Sequence, residues 1–242
     1  RGINVAQFGN DEHHYLSRAK ESLEGHSLGH PYLSQWKDQP DSFQSNAEHV
    51  LMAPLKILGL RDVNVITVIN IWNAIGVFAL LLLIYLFCFA LTRNALIAVA
   101  SALFTIGGYV LLQNGTVIMW IIRGNDLVFG TPNIFGRSTD PYTALVPFFG
   151  FLTLTYYAVF AEFKKFSRAT FKPYAYVLGA GALLGVLFYD YFYGWTFAFA
   201  FLGSLFLASL VWRRWQAALI CVAIGSGIMA IYATLSPRPR IS

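Results

Sequence analysis

Charge is scarce in this chain. Asp, Glu, Lys and Arg make up 12% of its 242 residues, about half the share found in an ordinary soluble domain, and that deficit argues against a soluble protein. Cysteine is scarcer still, with Cys88 and Cys221 as the whole complement. Both sit inside apolar runs without metal-ligand spacing, which excludes a disulfide framework and a cysteine zinc site. A buried structural thiol is the reading for each. No HExxH or comparable spacing occurs, and the adjacent His13 and His14 would point to different faces of a helix; no cofactor is expected, and a divalent metal is the alternative. The net charge of +5 comes from basic residues scattered between apolar runs. They build no basic face interleaved with aromatics, so nucleic acid is excluded as a partner. No signal peptide is visible. The chain opens on "RGINVAQ" and closes on "SPRPRIS" directly after an apolar run. The expectation is a piece of a longer membrane protein, cut at both ends and missing at least one upstream helix.

What the chain has in quantity is hydrocarbon, with 57% of its residues hydrophobic. A membrane-crossing helix needs ~20 mostly apolar residues. Six runs serve as candidates: 65–91, 95–112, 144–161, 174–188, 196–211 and 216–235. The predicted fold is therefore all-α and integral to the membrane, a polytopic bundle of about six transmembrane helices with an amphipathic juxtamembrane helix in the first outer loop. A single membrane domain is expected over 1–242, with an outer loop of juxtamembrane helices at 1–64 and the bundle at 65–235. A re-entrant arrangement of 174–211 is the alternative for that region.

Charge placement sets the orientation. The alternate loops 92–94, 162–173 and 212–215 hold Arg93, Lys164, Lys165, Arg168, Lys172, Arg213 and Arg214 against one acid, Glu162. By the positive-inside rule these loops are cytoplasmic. The opposite side then carries 1–64, 113–143, 189–195 and 236–242, and with them Asp11, Glu12, Arg123, Asp126, Arg137, Asp140 and Asp190.

The most polar stretch near the start, "FGNDEHHYLSRAKESLEG" (8–25), reads as a helix. Asn10 or Asp11 suits the N-cap. Tyr15, Leu16, Ala19 and Leu23 fall on one side at helical spacing, with Arg18, Lys20, Glu21 and Glu24 facing elsewhere. Gly25 suits the end. Such a helix is expected to lie at a membrane surface. On local pattern alone, Asp11 and Glu12 cap this helix and complement its dipole.

The wider arrangement adds a second reading. An acidic pair stands in the first outer loop, "YLSRAKESLEG" follows it, "AEHVLMAPLKILGL" (47–60) makes a further apolar approach, and many spans come after. This resembles the GT-C superfamily of membrane glycosyltransferases, in particular its protein O-mannosyltransferase and lipid A aminoarabinose transferase branch. There an Asp-Glu pair follows the first membrane helix, and the loop behind it forms helices along the membrane. The later "LGAGALLGVLFYDYFYGWTF" also resembles bacterial members. The resemblance runs from about residue 8 to the sixth span, and the superfamily's soluble C-terminal domain has no counterpart here. It implies a bacterial plasma membrane with the active site outward. It also implies inverting transfer of a sugar from a polyprenyl-phosphate donor to a hydroxyl on a glycan, lipid or protein.

Such a reaction needs a carboxylate to orient and deprotonate the acceptor, a cation for charge growing on the leaving phosphate, and an apolar groove for the lipid. The resemblance gives the base to Asp11 and an acceptor-orienting role to Glu12; His14 would line the acceptor site. For the phosphate, Arg137 and then Arg123 are the candidates, because a planar guanidinium donates two parallel hydrogen bonds. Snorkelling to lipid headgroups is the alternative for both. Asp126 and Asp140 are candidates for a second acidic position, although Asp140 before Pro141 also reads as a turn. Asp190, among the aromatics of "YDYFYGW" with Tyr193 and Trp195, would contact a sugar on which the rings stack. The alternative there is an interfacial aromatic belt with one hydrated carboxylate. A different function, a transporter or flippase for a lipid-linked or small polar solute, would place ionisable residues within spans and repeat its halves. Nearly all charge here lies in loops, and no repeat is evident.

Overall fold

Eight helices and no strand make up the secondary structure of the described residues. The computed structural model describes residues 10–26, 47–113, 142–160, 171–190 and 192–235. Residues 1–143 and 144–242 form two compact units.

The first unit contains α1 (Asn10–Glu24), α2 (Ala47–Ile57), α3 (Val65–Thr92) and α4 (Ala95–Gln113). Sequence chemistry sets their ends. After α1, Gly25 turns left-handed at φ 93°. Its N–H donates to the Ser22 carbonyl, and the N–H of His26 donates to that of Glu21, the paired bonds of a Schellman cap. Gly59 ends α2 in the same way at φ 71°. The Asn64 side chain accepts from the N–H groups of Ile66 and Thr67 and starts α3. Asn94 does the same for α4 through Leu96 and Ile97. Between those helices Arg93 takes φ 54°, so a two-residue turn reverses the chain.

With 28 residues α3 is about 42 Å long, enough to cross a membrane with tilt. Ile69, Gly76, Leu80, Ile84 and Ala90 are its buried residues. Small residues of α4, Ala98 and Ala102, are buried as well, and the two helices pack as an antiparallel hairpin. Their other faces stay apolar: Phe78, Leu82, Leu96, Leu103 and Phe104 are all exposed. An outward hydrocarbon surface of this extent suits lipid better than water.

The second unit contains α5 (Tyr142–Phe160), α6 (Phe171–Asp190), α7 (Phe192–Val211) and α8 (Trp215–Leu235). Here the expected boundaries shift. "YDYFYGW" is not a seven-residue loop: α6 runs through Asp190 and α7 starts at Phe192. Helix α6 packs on α7 and α8, and α7 on α8. The Phe151 ring of α5 meets Phe201 of α7 edge-on at 6.3 Å, and Tyr157 meets Tyr176 of α6 at 5.5 Å.

Glycine decides the closest crossing. A Cβ on Gly227 of α8 would lie 3.3 Å from the Cα of Gly181 on α6. The backbones touch there, as small-residue contacts between membrane helices allow. Gly227→Leu is expected to force α6 and α8 apart and to cost about 1–3 kcal/mol, read as a lowered melting temperature of the chain in detergent. The same melting temperature for Gly227→Leu as for wild type would remove this contact from the list of what holds the unit together.

Among the described residues, three helices are long and apolar enough to cross a membrane: Val65–Thr92, Thr143–Phe160 and Gly194–Val211. The stretches Ala95–Thr105, Tyr174–Asp190 and Trp215–Gly227 are apolar but shorter. The chain is thus all-helical over the described residues and compatible with a membrane protein.

Candidate functional site

The polar chemistry of the first unit gathers where α1 packs on α2. On α1, Arg18, Ala19, Ser22 and Leu23 are buried; on α2, Ala47, Glu48, Leu51 and Met52 are buried. Each set follows the spacing i, i+1, i+4, i+5, which marks one face of a helix. Each face carries one charge, and the charges meet. Arg18 Nε donates to Glu48 Oε1 at 3.3 Å, and the two side chains are only 2% and 0% exposed. Arg18 therefore does not face away from the apolar side of α1, as its charge suggests in isolation. It lies under Glu48, which removes it from water.

One turn further on, Ser22 Oγ lies 2.6 Å from His49 Nδ1. Burial pushes the His49 pKa down, and the neighbouring positive charges of Lys56 and Arg18 push it the same way. The neutral ring is thus favoured, and Ser22 Oγ and His49 Nδ1 share a hydrogen bond whose direction follows the ring tautomer. The consequence for stability has a definite sign. The unfolded chain takes up a proton at the ordinary histidine value of 6.5, while the folded chain resists to lower pH. Unfolded chains therefore bind more protons in that window, and stability falls as pH drops below about 6.5. Melting of the wild type from pH 7.5 down to pH 5 is expected to show this loss, and His49→Gln, which cannot titrate, is expected to flatten it.

At the C-terminal end of α1, Glu21, Glu24 and His26 place one possible ligand atom each within 4.8 Å of one another. Among the described residues this is the group with a composition suited to a divalent ion. Glu24 already pairs with Lys20 at 3.4 Å.

The residues singled out from the sequence fall into three places. Asp11, Glu12 and His14 lie in the first turns of α1, so the expected helix start is present; their side chains lie outside the described residues. Arg123, Asp126, Arg137 and Asp140 fall in 114–141, also outside them, and so does the Tyr193 side chain. In the second unit, Asp190 is 0% exposed at the end of α6. The neighbouring Phe188 and Tyr189 are exposed. Trp195 packs on Phe188 at 5.2 Å and on Phe199 at 5.8 Å. Cys88 and Cys221 are unpaired thiols, half-buried and buried.

Sequence reasoning missed Glu48, Ser22 and His49. The signal was available in the matched spacing of 18/19/22/23 and 47/48/51/52, with opposite charges on the two faces.

No family model, no curated protein and no solved structure matches this chain.

Proposed function

We propose that the protein is a membrane glycosyltransferase of GT-C type, with six transmembrane helices, in which α4, α6 and α8 cross along with the three longer spans. It would transfer a sugar from polyprenyl phosphate to an acceptor hydroxyl at the outer face of a bacterial plasma membrane. The observation that carries this reading is the anchoring of α1. The helix that begins with Asp11 and Glu12 is tied to α2 by a buried ion pair, and it also touches α3, a helix fit to cross a membrane. The helix that carries the acidic pair in its first turns thus packs on an apolar span, which supports a role for that pair at the membrane boundary.

The reaction balances simply. The acceptor oxygen forms a bond to the anomeric carbon as the bond from that carbon to the phosphate oxygen breaks. The acceptor proton passes to the Asp11 carboxylate late in the step, and the electron pair leaves with polyprenyl phosphate. One displacement inverts the anomeric centre. Positioning matters more than a raised pKa, because a hydroxyl becomes acidic only as the new bond forms. Glu12 and His14 would orient the acceptor, and Arg137 or Arg123 would hold the phosphate. No cofactor is needed for this step.

The test is release of free polyprenyl phosphate from polyprenyl-phosphate sugars in proteoliposomes, comparing wild type with Asp11→Asn. Equal release from both would overturn the assignment of the base. A second reading, a transporter or flippase, is favoured by one observation, the buried Asp190. Uptake or flipping of the unmodified lipid-linked sugar, lost in Asp190→Asn and kept in Asp11→Asn, would support it instead.

A further inference from the structure

The turn that joins α7 to α8 keeps an arginine where the backbone favours glycine. Arg213 sits at φ 54°. Its N–H donates to the Leu210 carbonyl, and the N–H of Arg214 donates to that of Ser209 at 2.7 Å. This is the Schellman geometry in which glycine avoids a Cβ clash, yet the position carries a charge. Arg214 is exposed beside it. Trp212 and Trp215 flank the pair at 71% and 65% exposure, although a large indole normally seeks cover.

Among the described residues of the second unit, no acid lies near this turn. Helices α5, α7 and α8 contain no Asp or Glu. The acid of α6, Asp190, lies where α6 ends and α7 begins, about 30 Å along α7 from the turn, which is beyond screening distance at physiological salt. Among the described residues neither guanidinium forms an ion pair. Two exposed cations between two exposed indoles, at the end of an apolar helix fit to cross a membrane, match one partner in charge and polarity. Indoles settle at headgroup depth, and arginines at that depth pair with phosphate.

We propose that the Trp212–Trp215 turn binds the headgroup of an anionic phospholipid. The guanidinium groups of Arg213 and Arg214 hold the phosphate, and Trp212 and Trp215 set the depth. The inference rests on α7 crossing a membrane and not on sugar transfer, so its failure leaves the assignment of Asp11 untouched.

Native mass spectrometry of the full chain in detergent tests it, with phosphatidylglycerol and phosphatidylcholine of matched acyl chains as probes. Wild type is expected to retain phosphatidylglycerol preferentially. Arg213→Gly with Arg214→Gln is expected to reduce that preference about tenfold, in line with removal of charges beside a membrane surface. The glycine relieves the left-handed backbone, so the variant is not expected to misfold. Arg213→Lys with Arg214→Lys is expected to keep most of the preference. Arg93→Gly, at the other left-handed arginine, which lacks flanking tryptophans, is expected to leave it unchanged. Equal retention of both lipids by wild type would overturn the proposal. So would an unchanged preference in the Gly/Gln variant, a loss caused by Arg93→Gly, or displacement of the lipid by an equal concentration of inorganic phosphate.

Discussion

Arg18→Met is expected to release α1 from α2. The substitution keeps the length and apolar stem of the side chain but takes the Arg18 charge away from the Glu48 carboxylate, which is 0% exposed. Breaking a buried pair from one side costs up to about 3–5 kcal/mol, because the buried carboxylate loses the guanidinium that faces it. Hydrogen exchange of the α1 amides reports it directly. Local opening at that cost accelerates exchange by roughly a hundredfold or more. Glu48→Leu is expected to do the same from the other side. The double variant, Arg18→Met with Glu48→Leu, is expected to recover most of the protection, since two apolar side chains of similar volume can replace a buried pair at little cost. Additive losses in the double variant would show that the two residues act separately, and the picture of one shared clamp would fall. The functional corollary is that Arg18→Met removes the support of the helix that carries Asp11, and is therefore expected to impair transfer without touching substrate.

Asp11→Asn is expected to lower sugar transfer by about 10²- to 10⁴-fold, the usual worth of a positioned general base. The amide preserves shape and hydrogen bonding but cannot accept the acceptor's proton. The loss should appear in kcat more than in KM, because the group acts as the new bond forms. Glu12→Gln is expected to act more mildly and chiefly on KM for the acceptor. The purely structural reading of Asp11 as a helix cap makes a different forecast. Asparagine caps as well as aspartate does, so under that reading Asp11→Asn would leave both stability and transfer close to wild type. The two roles are thus separated by one substitution. Hydrogen exchange of α1 in the same variant then shows that the helix remains in place.

Much of the helical layout can be read along the chain. The expected run 65–91 is α3, and 95–112 is α4, each within a residue of the observed ends. "TRN" marks the reversal because Asn94 caps the next helix with its own side chain. Gly25 marks the end of α1 because its backbone takes a conformation costly for other residues. Where reading along the chain failed, it failed for want of a partner. "YDYFYGW" carries an acid and a glycine among aromatics and suggests a loop, yet packing extends both helices into it. Arg18 carries a charge and suggests solvent, yet a carboxylate thirty positions away covers it.

Apolar run length, capping residues and scarcity of charge are local or additive properties. They were enough to specify helices fit for a membrane over the described residues, because hydrocarbon excludes any backbone that leaves its hydrogen bonds unmade. Which face of α1 is covered, which charge is buried, and where α6 and α8 touch depend on residues distant in sequence. Those choices belong to the tertiary structure. The free energy of burying Arg18 is unfavourable until Glu48 arrives, and Gly227 has no special worth until Gly181 is 3.3 Å from the Cβ it lacks.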